Sequence, residues 1–332
     1  MRILAIETSC DETGVAVVED GRRIRANVVA SQAAHQATGG IVPEVAAREH
    51  LRALDPITQQ ALSDAGMELR DVDAIAATVG PGLIGALLVG ANYARGLALA
   101  AGLPFVGVNH LEGHVYANWL YDTETVPPEP ELPAVVLVVS GAHSDLVLME
   151  AHRRFRLLGR TIDDAAGEAF DKVARLLGLG FPGGPEIERT AKSGDAAAYP
   201  LPKAWLPDRY DFSFSGLKTA SLRLVRSLEA KGDLPVADVA ASFQKAITEA
   251  LAEKVARAAA EHGVRTVMLG GGVAANGPLR AEIQRRTSVP LRVPPPRLCT
   301  DNGAMIGAAA FFSLRHRTGE IPTLVRSSMP LA

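Results

Sequence analysis

His110 and His114 stand four residues apart, and on a helix that spacing puts two imidazoles on one face, about 5–6 Å apart, within reach of one metal ion. With 8 His in 332 residues, such a pair arises by chance in about one chain in five. Its position gives it weight, because it follows an apolar strand ending at Val108, and open α/β sheets place ligands at the C-terminal ends of parallel strands. Glu112 gives the segment a superficial likeness to His-Glu-x-x-His metalloproteases. In that motif the Glu directly follows the first His, whereas Glu112 lies two residues on, about 200° around the helix, so peptidase chemistry is excluded. Two histidines need a further ligand. Asp301, within Cys299-Thr300-Asp301-Asn302-Gly303, is the carboxylate that stands out, although its local position reads first as the N-cap of the final helix.

Three other constellations could carry chemistry. Thr8-Ser9-Cys10-Asp11-Glu12-Thr13-Gly14 and Ser140-Gly141-Ala142-His143-Ser144 both set hydroxyls and Gly in a turn between strands, where backbone N–H groups can meet phosphate oxygens. Leu269-Gly270-Gly271-Gly272-Val273-Ala274-Ala275-Asn276 runs from a strand through three glycines into a helix; it is neither Gly-x-Gly-x-x-Gly nor a Walker loop, and a tight turn explains it as well as a ligand site does. In Thr161 to Lys172, Asp164, Glu168 and Asp171 fall at i, i+4 and i+7, so one helical face is expected to be acidic and solvent-exposed or ligand-facing.

The elements needed to position these groups are legible in the apolar spacing. Residues 3–6, 15–18 and 24–30 read as strands and 44–64 as a helix ending at Gly66. Strands are expected at 74–79 and 105–108, with a helix starting at Leu83 between them. The stretch 122–133, with four prolines and four acidic residues, reads as a linker. After it the pattern restarts, with strands at 134–139 and 145–149, helices at 164–177 and 235–262, a strand at 266–269 and a last helix at 303–314. Strand, polar turn, strand therefore heads both halves, as in a duplicated fold. The expected lobes are 1–128 and 129–332, with the last helix, about 303–316, able to pack back on the first.

Bulk properties set the class. An apolar fraction of 48% supports a sizeable core, and a net charge of −3 argues against a protein that grips nucleic acid unaided. Arg22, Arg23 and Arg25, then Arg153, Arg154 and Arg156, are two local basic clusters that read first as solvated surface. Two cysteines, Cys10 and Cys299, fit a reducing compartment, and Met1 leads into a strand without a signal-peptide pattern, so a cytoplasmic protein with no membrane partner is expected. The apolar run 83–101 contains Arg95 and three glycines and reads as a buried core helix rather than a membrane span.

Taken together, Ile6-Glu7-Thr8-Ser9-Cys10-Asp11-Glu12-Thr13, Gly39-Gly40-Ile41-Val42-Pro43-Glu44, Asn109 to His114, Ile162 to Lys172, Asp211-Phe212-Ser213-Phe214-Ser215-Gly216-Leu217-Lys218 and Cys299 to Gly303 resemble the tRNA threonylcarbamoyl transferases, once labelled O-sialoglycoprotein endopeptidases. The match runs nearly end to end in the same order. It implies an α/β, two-lobed actin/Hsp70/sugar-kinase-like fold with duplicated domains and an interlobe cleft. It also implies transfer of threonylcarbamoyl from threonylcarbamoyl-AMP to N6 of the adenosine beside the anticodon, position 37, in tRNAs reading codons that start with A. His110, His114 and Asp301 would hold a divalent metal, iron first and zinc second, bridging both lobes. Val138, Val139, Ser140, Gly141, Ala142 and His143, with Asp171, Gly184, Glu188 and Asn276, would bind the acyl adenylate. Asp11 or Glu12 would accept the amine proton. Implied partners are tRNA, an inactive paralogue subunit and a small ATPase. Two residues depart from the family pattern. Ala142 stands where Gly is usual, which matters if the position needs positive φ, and Glu188 stands where Asp is usual. The rivals are a sugar- or acetate-type kinase, which would hold Mg²⁺ through carboxylates rather than histidines, and a non-catalytic scaffold, which would be expected to lack His110 and His114.

Overall fold

The computed structural model describes residues 1–32, 40–203, 210–316 and 321–331; Gly39 of the second family motif lies outside them. In chain order the strands are β1 (Arg2–Glu7), β2 (Glu12–Glu19), β3 (Arg23–Ser31), β4 (Ala74–Gly80), β5 (Phe105–Asn109), β6 (Ala134–Val139), β7 (Ser144–Ala151), β8 (Arg154–Arg160), β9 (Thr266–Gly270) and β10 (Leu291–Arg292). The helices are α1 (Pro43–Ala65), α2 (Ile84–Ala101), α3 (His110–Tyr116), α4 (Ala166–Leu176) and α5 (Gly183–Ala191). They continue with α6 (Ser215–Glu229), α7 (Val236–Glu261), α8 (Gly277–Arg286), α9 (Pro296–Cys299) and α10 (Gly303–Arg315).

The chain divides into two compact units. One comprises Met1–Pro130, Ala151–Phe155 and Thr300–Ala332; the other comprises Glu131–Glu150 and Arg156–Cys299. Each is built on a five-stranded sheet, ordered β3-β2-β1-β4-β5 in the first and β8-β7-β6-β9-β10 in the second. The two follow one plan. The first two strands pair antiparallel (β1 with β2, β6 with β7), and the first strand then pairs parallel with a later one (β1 with β4, β6 with β9). The duplication expected from the repeated strand–turn–strand pattern is therefore present in both order and direction.

Sequence explains which strands lie centrally. β4 (AIAATVG) and β6 (AVVLVV) are buried along their whole length, as continuous apolar runs covered on both faces must be. β3 lies at a sheet edge and mixes exposed Arg23, Arg25 and Val29 with half-buried Ile24 and Val28. α10 is buried from Gly303 to Ser313, because it packs in the first unit against β1, β2, β5 and α3 together.

Two expectations need correction. The helix placed at 164–177 begins at Ala166, after Ala165 in extended conformation (φ −74°, ψ 161°), so Asp164 does not share a helical face with Glu168 and Asp171. The run read as a buried core helix, now α2, is buried on one side only. Ala86, Leu87, Gly90, Ala91, Ala94 and Ala98 face the core. Ile84, Leu88, Asn92 and Gly96 recur every fourth residue on the exposed side, with Leu99 continuing the stripe. Among the described residues α2 is the one helix long and apolar enough to cross a membrane; here it packs on α1 and β4.

Candidate metal centre and substrate residues

α3 begins where β5 ends, and Asn109 makes the junction: its side-chain oxygen accepts the Leu111 N–H at 2.8 Å, capping the helix. His110 is thus the first helical residue and His114 lies one turn on, both buried, their ring centroids 4.7 Å apart and nearly perpendicular. Asp301 Oδ1 lies 3.6 Å from His110 Nε2 and 3.3 Å from His114 Nε2. One ligand atom from each of the three residues falls within 4.8 Å of the other two. Donors held about 2.1 Å from one ion in tetrahedral array stand about 3.4 Å apart, so the residues present fit a metal. The state of His114 agrees, since neither of its buried ring nitrogens makes a hydrogen bond.

Asp301 does not cap α10. Asn302 does, its Oδ1 accepting the Met305 N–H at 3.1 Å, and the Asp301 carboxylate is directed to the histidines. Thr300–Ala332 belongs to the first unit, so all three candidate ligands lie within one unit instead of being split between two. Close backbone contact sets their position. A Cβ on Gly303 would stand 2.6 Å from Ala16 N, and one on Gly14 would stand 2.7 Å from Gly303 N. Only a pair of glycines lets the start of α10 press onto β2 this closely.

Sequence reasoning missed Glu7. It ends the apolar strand β1, is fully buried, and uses both oxygens: Oε1 accepts the Ser9 N–H at 2.5 Å, while Oε2 accepts the Thr78 hydroxyl at 2.6 Å and lies 3.1 Å from His110 Nδ1. A carboxylate closing an otherwise apolar buried strand was the available signal. Burial pushes the Glu7 carboxyl up, but the His110 imidazole and the hydrogen bonds from His110 and Ser9 outweigh it and hold the group below its ordinary value. The two histidines diverge. Burial works against the His110 cation, yet Asp301 and Glu7 raise it to about 9. Burial, helped by the neighbouring His110 charge, holds His114 below its ordinary value.

Around this cluster, His50 was also missed. Buried on α1, its Nδ1 lies 2.8 Å from Thr13 Oγ1 and its Nε2 3.0 Å from the Cys10 carbonyl, so it ties down the turn that carries Asp11 and Glu12. Glu12 accepts both its hydrogen bonds from the Ser31 hydroxyl, and burial lifts its carboxyl above the ordinary value. Glu112 faces Arg153, at 3.7 Å, and takes no part in the metal cluster.

In the second unit the turn after β6 is held by its own backbone: Ser140 N–H donates to the His143 carbonyl at 2.9 Å, and Gly167 N–H donates to the Ser140 carbonyl at 3.2 Å. Gly141 and Ala142 are exposed there. Ala142 is not among the non-glycine residues of positive φ, which are Asp20 and Arg153, so its methyl causes no backbone strain. Gly271 (φ 89°) is glycine because a Cβ would stand 2.2 Å from the Val139 carbonyl oxygen, which favours the tight-turn reading of that segment.

Glu188 and Asn276 meet. Asn276 donates to Glu188 at 3.2 Å and to Gln244 at 3.0 Å, and its oxygen caps α8 through Leu279 N–H. Asp171 accepts the Gly183 N–H at 2.7 Å, next to Gly184 at the start of α5. Two family motifs also join, for Asp163 accepts from Ser213, Phe214 and Ser215, while Asp164 pairs with Lys172 and Lys218. Both carboxyls are held below their ordinary values, because the hydroxyls and backbone N–H groups around Asp163 and the two lysines beside Asp164 outweigh burial. The arginine clusters are largely spent on ion pairs, Arg22 with Glu129, Arg25 with Glu19, Arg153 with Glu112 and Arg156 with Glu150.

Comparison with known proteins agrees with this layout. The (R)-2-hydroxyglutaryl-CoA dehydratase component A of Acidaminococcus fermentans is similar over 94% of this chain and 98% of its own, with a TM-score of 0.55 at 17% identity. HypF of T. kodakarensis is similar over 95% of this chain and 48% of its own, with a TM-score of 0.61 at 15% identity. These likenesses concern the fold alone, which is of the actin/Hsp70/sugar-kinase type. The sequence profile of TsaD, tRNA N6-adenosine threonylcarbamoyltransferase, matches residues 23–308. Proteins with that name from Thermomicrobium roseum and Symbiobacterium thermophilum are 51% and 54% identical, covering 100% and 94% of this chain and 97% and 92% of their own lengths. The chain therefore belongs to the tRNA N6-adenosine threonylcarbamoyltransferase family.

Proposed function

We propose that this chain, as a member of that family, transfers a threonylcarbamoyl group to N6 of a tRNA adenosine, with threonylcarbamoyl-AMP as donor and position 37 of tRNAs reading A-starting codons as acceptor. One observation supports the catalytic form over a scaffold: His110, His114 and Asp301 converge as a complete ligand set beside the turn of the first family motif.

The reaction forms a bond between the adenosine N6 and the carbamoyl carbon, breaks the carbamoyl–phosphate anhydride, and releases AMP and the amine proton. His110, His114 and Asp301 hold the metal, iron by preference and zinc as the alternative. When bound there, the ion supplies Lewis-acid chemistry toward a carbonyl or phosphate oxygen. Val138 to His143, Asp171, Gly184, Glu188 and Asn276 bind and orient the acyl adenylate. Among them Ser140, Gly141 and Ala142 offer a turn open to a phosphate, and Asn276 would have to exchange a bond to Glu188 or Gln244 for one to the ligand. Asp11 or Glu12 accepts the amine proton. The raised carboxyl of Glu12 favours it as the better proton acceptor of ordinary carboxylates.

A paralogue subunit and a small ATPase complete the system. The exposed apolar stripe of α2 is a surface suited to a protein partner, and the spent arginines fit a chain that needs help to hold tRNA. A tRNA substrate and two free cysteines suit the cytoplasm. The test supplies the purified chain with unmodified tRNA, threonine, bicarbonate, ATP, the adenylate-forming enzyme and the helper subunits. Nucleoside mass spectrometry should find threonylcarbamoyladenosine, and His110→Ala should reduce it below about one hundredth of wild type. A wild-type chain that yields none, yet phosphorylates sugars with ATP, contradicts the proposal.

A further inference from the structure

The two metal histidines differ in what stands behind them. His110 Nδ1 lies 3.1 Å from Glu7 Oε2 and 3.1 Å from Ser9 Oγ, whereas His114 Nδ1 is buried without a hydrogen-bond partner. Glu7 is fully buried, and a carboxylate removed from water is tolerated only where hydrogen bonds and positive charge offset its desolvation. Ser9 N–H and the Thr78 hydroxyl supply two hydrogen bonds, at 2.5 and 2.6 Å. The remaining demand falls on the His110 side. A ligating histidine that donates its second N–H to a carboxylate is fixed in tautomer and made more basic toward the metal.

We infer that Glu7 is a positioning residue that holds His110 with Nδ1 protonated and Nε2 toward Asp301, making His110 and Asp301 the firm metal ligands and His114 the one that yields first. The inference rests on reading His110, His114 and Asp301 as metal ligands. It ranks the three ligands, which their convergence alone does not do. Thr78, on β4, acts on the metal only through Glu7, whereas Ser9, after β1, holds Glu7 through its N–H and also stands beside His110 Nδ1 through its hydroxyl.

Zinc affinity of the purified full-length chain, measured by competition with a chromophoric chelator, tests the ranking. Glu7→Gln should lose about 10–100-fold in affinity, and His110→Ala should lose more than His114→Ala. Nitrogen-15 NMR of the metal-free chain, taken above about pH 9 where the His110 ring is neutral, should show His110 as a single Nδ1-protonated tautomer in wild type and a mixture in Glu7→Gln, a change that mere loosening of the fold does not make. Glu7→Asp keeps the charge but shortens the reach by one methylene. It should also bind zinc more weakly, and it serves if the Gln variant does not fold. Wild-type affinity in the folded Glu7 variants, or a His114→Ala loss equal to that of His110→Ala, overturns the inference. A wild-type chain that binds no zinc and no iron instead overturns the metal reading beneath it.

Discussion

The first unit and the second share one sheet plan, yet the turn after the first strand has opposite character in each. After β1, Thr8 and Ser9 are buried, and the turn is tied to Glu7, His110, His50 and α2 through hydrogen bonds that span from 2 to 101 residues of sequence. After β6, Gly141 and Ala142 are exposed, and the turn is closed by local backbone bonds and by Gly167. The same difference appears in the titratable groups. The first unit gathers Glu7, His110, His114 and Asp301 at one place, whereas the second buries Lys254, which donates to the Asp211 carbonyl and lies 5.3 Å over the Phe212 ring. A duplicated scaffold thus has one strand-end turn packed beside a possible metal-binding triad and the other exposed.

The contrast can be broken most severely at Gly303. Gly303→Ala places a methyl against the backbone of Ala16, Val15 and Ala5, at 2.6, 2.8 and 2.9 Å, so α10 must move. Thermal unfolding should register a loss of about 1–3 kcal/mol, and zinc affinity should fall with it because Asp301 is displaced. A folded variant with unchanged zinc affinity would show that the packed turn does not set the metal site.

The open turn should behave differently. A Cβ at Gly141 meets nothing within 4 Å, so Gly141→Val should unfold at nearly the wild-type temperature. Its KM for the acyl adenylate should rise by about tenfold, equivalent to 1.4 kcal/mol, with metal content unchanged. A large stability loss without a KM effect would assign this turn a structural role like its counterpart.

A pH-dependent effect is expected at Lys254, which burial and the nearby Arg257 charge lower to about 8. The unfolded chain keeps this proton to about pH 10.4, while the folded chain releases it near 8. The unfolded state therefore binds more protons between these values, and stability should rise with pH across that window. Denaturant titrations should show this rise in wild type and a flatter profile in Lys254→Met, with transfer activity at neutral pH retained.

Much of this organisation was legible because it is local. Apolar runs mark β1, β4 and β6, Gly66 ends α1, and the four-residue spacing of His110 and His114 survives intact on α3. What was misread depended on backbone detail or distant partners. Asp301 and Asn302 are both good caps by type, and only the extended backbone of Asn302 with its bond to Met305 N–H decides between them. Asp164, Glu168 and Asp171 have helical spacing, but the extended Ala165 excludes the first from the helix. Glu7 stands just past the apolar run 3–6 and was not singled out, because its partners, Thr78 and His110, lie 71 and 103 residues away. No local pattern encodes that meeting.

The central claim is that the metal and the chemistry depend on a carboxylate from the far end of the chain. Asp301→Asn keeps the size of the side chain and removes its charge, while the Asn302 cap of α10 remains. The most direct measurement is metal stoichiometry of the purified variant, taken beside its yield of threonylcarbamoyladenosine in the reconstituted reaction. The account predicts that wild type carries about one ion per chain and that Asp301→Asn, folded and of near wild-type stability, loses both metal and product. Full metal content and full activity in Asp301→Asn would contradict it.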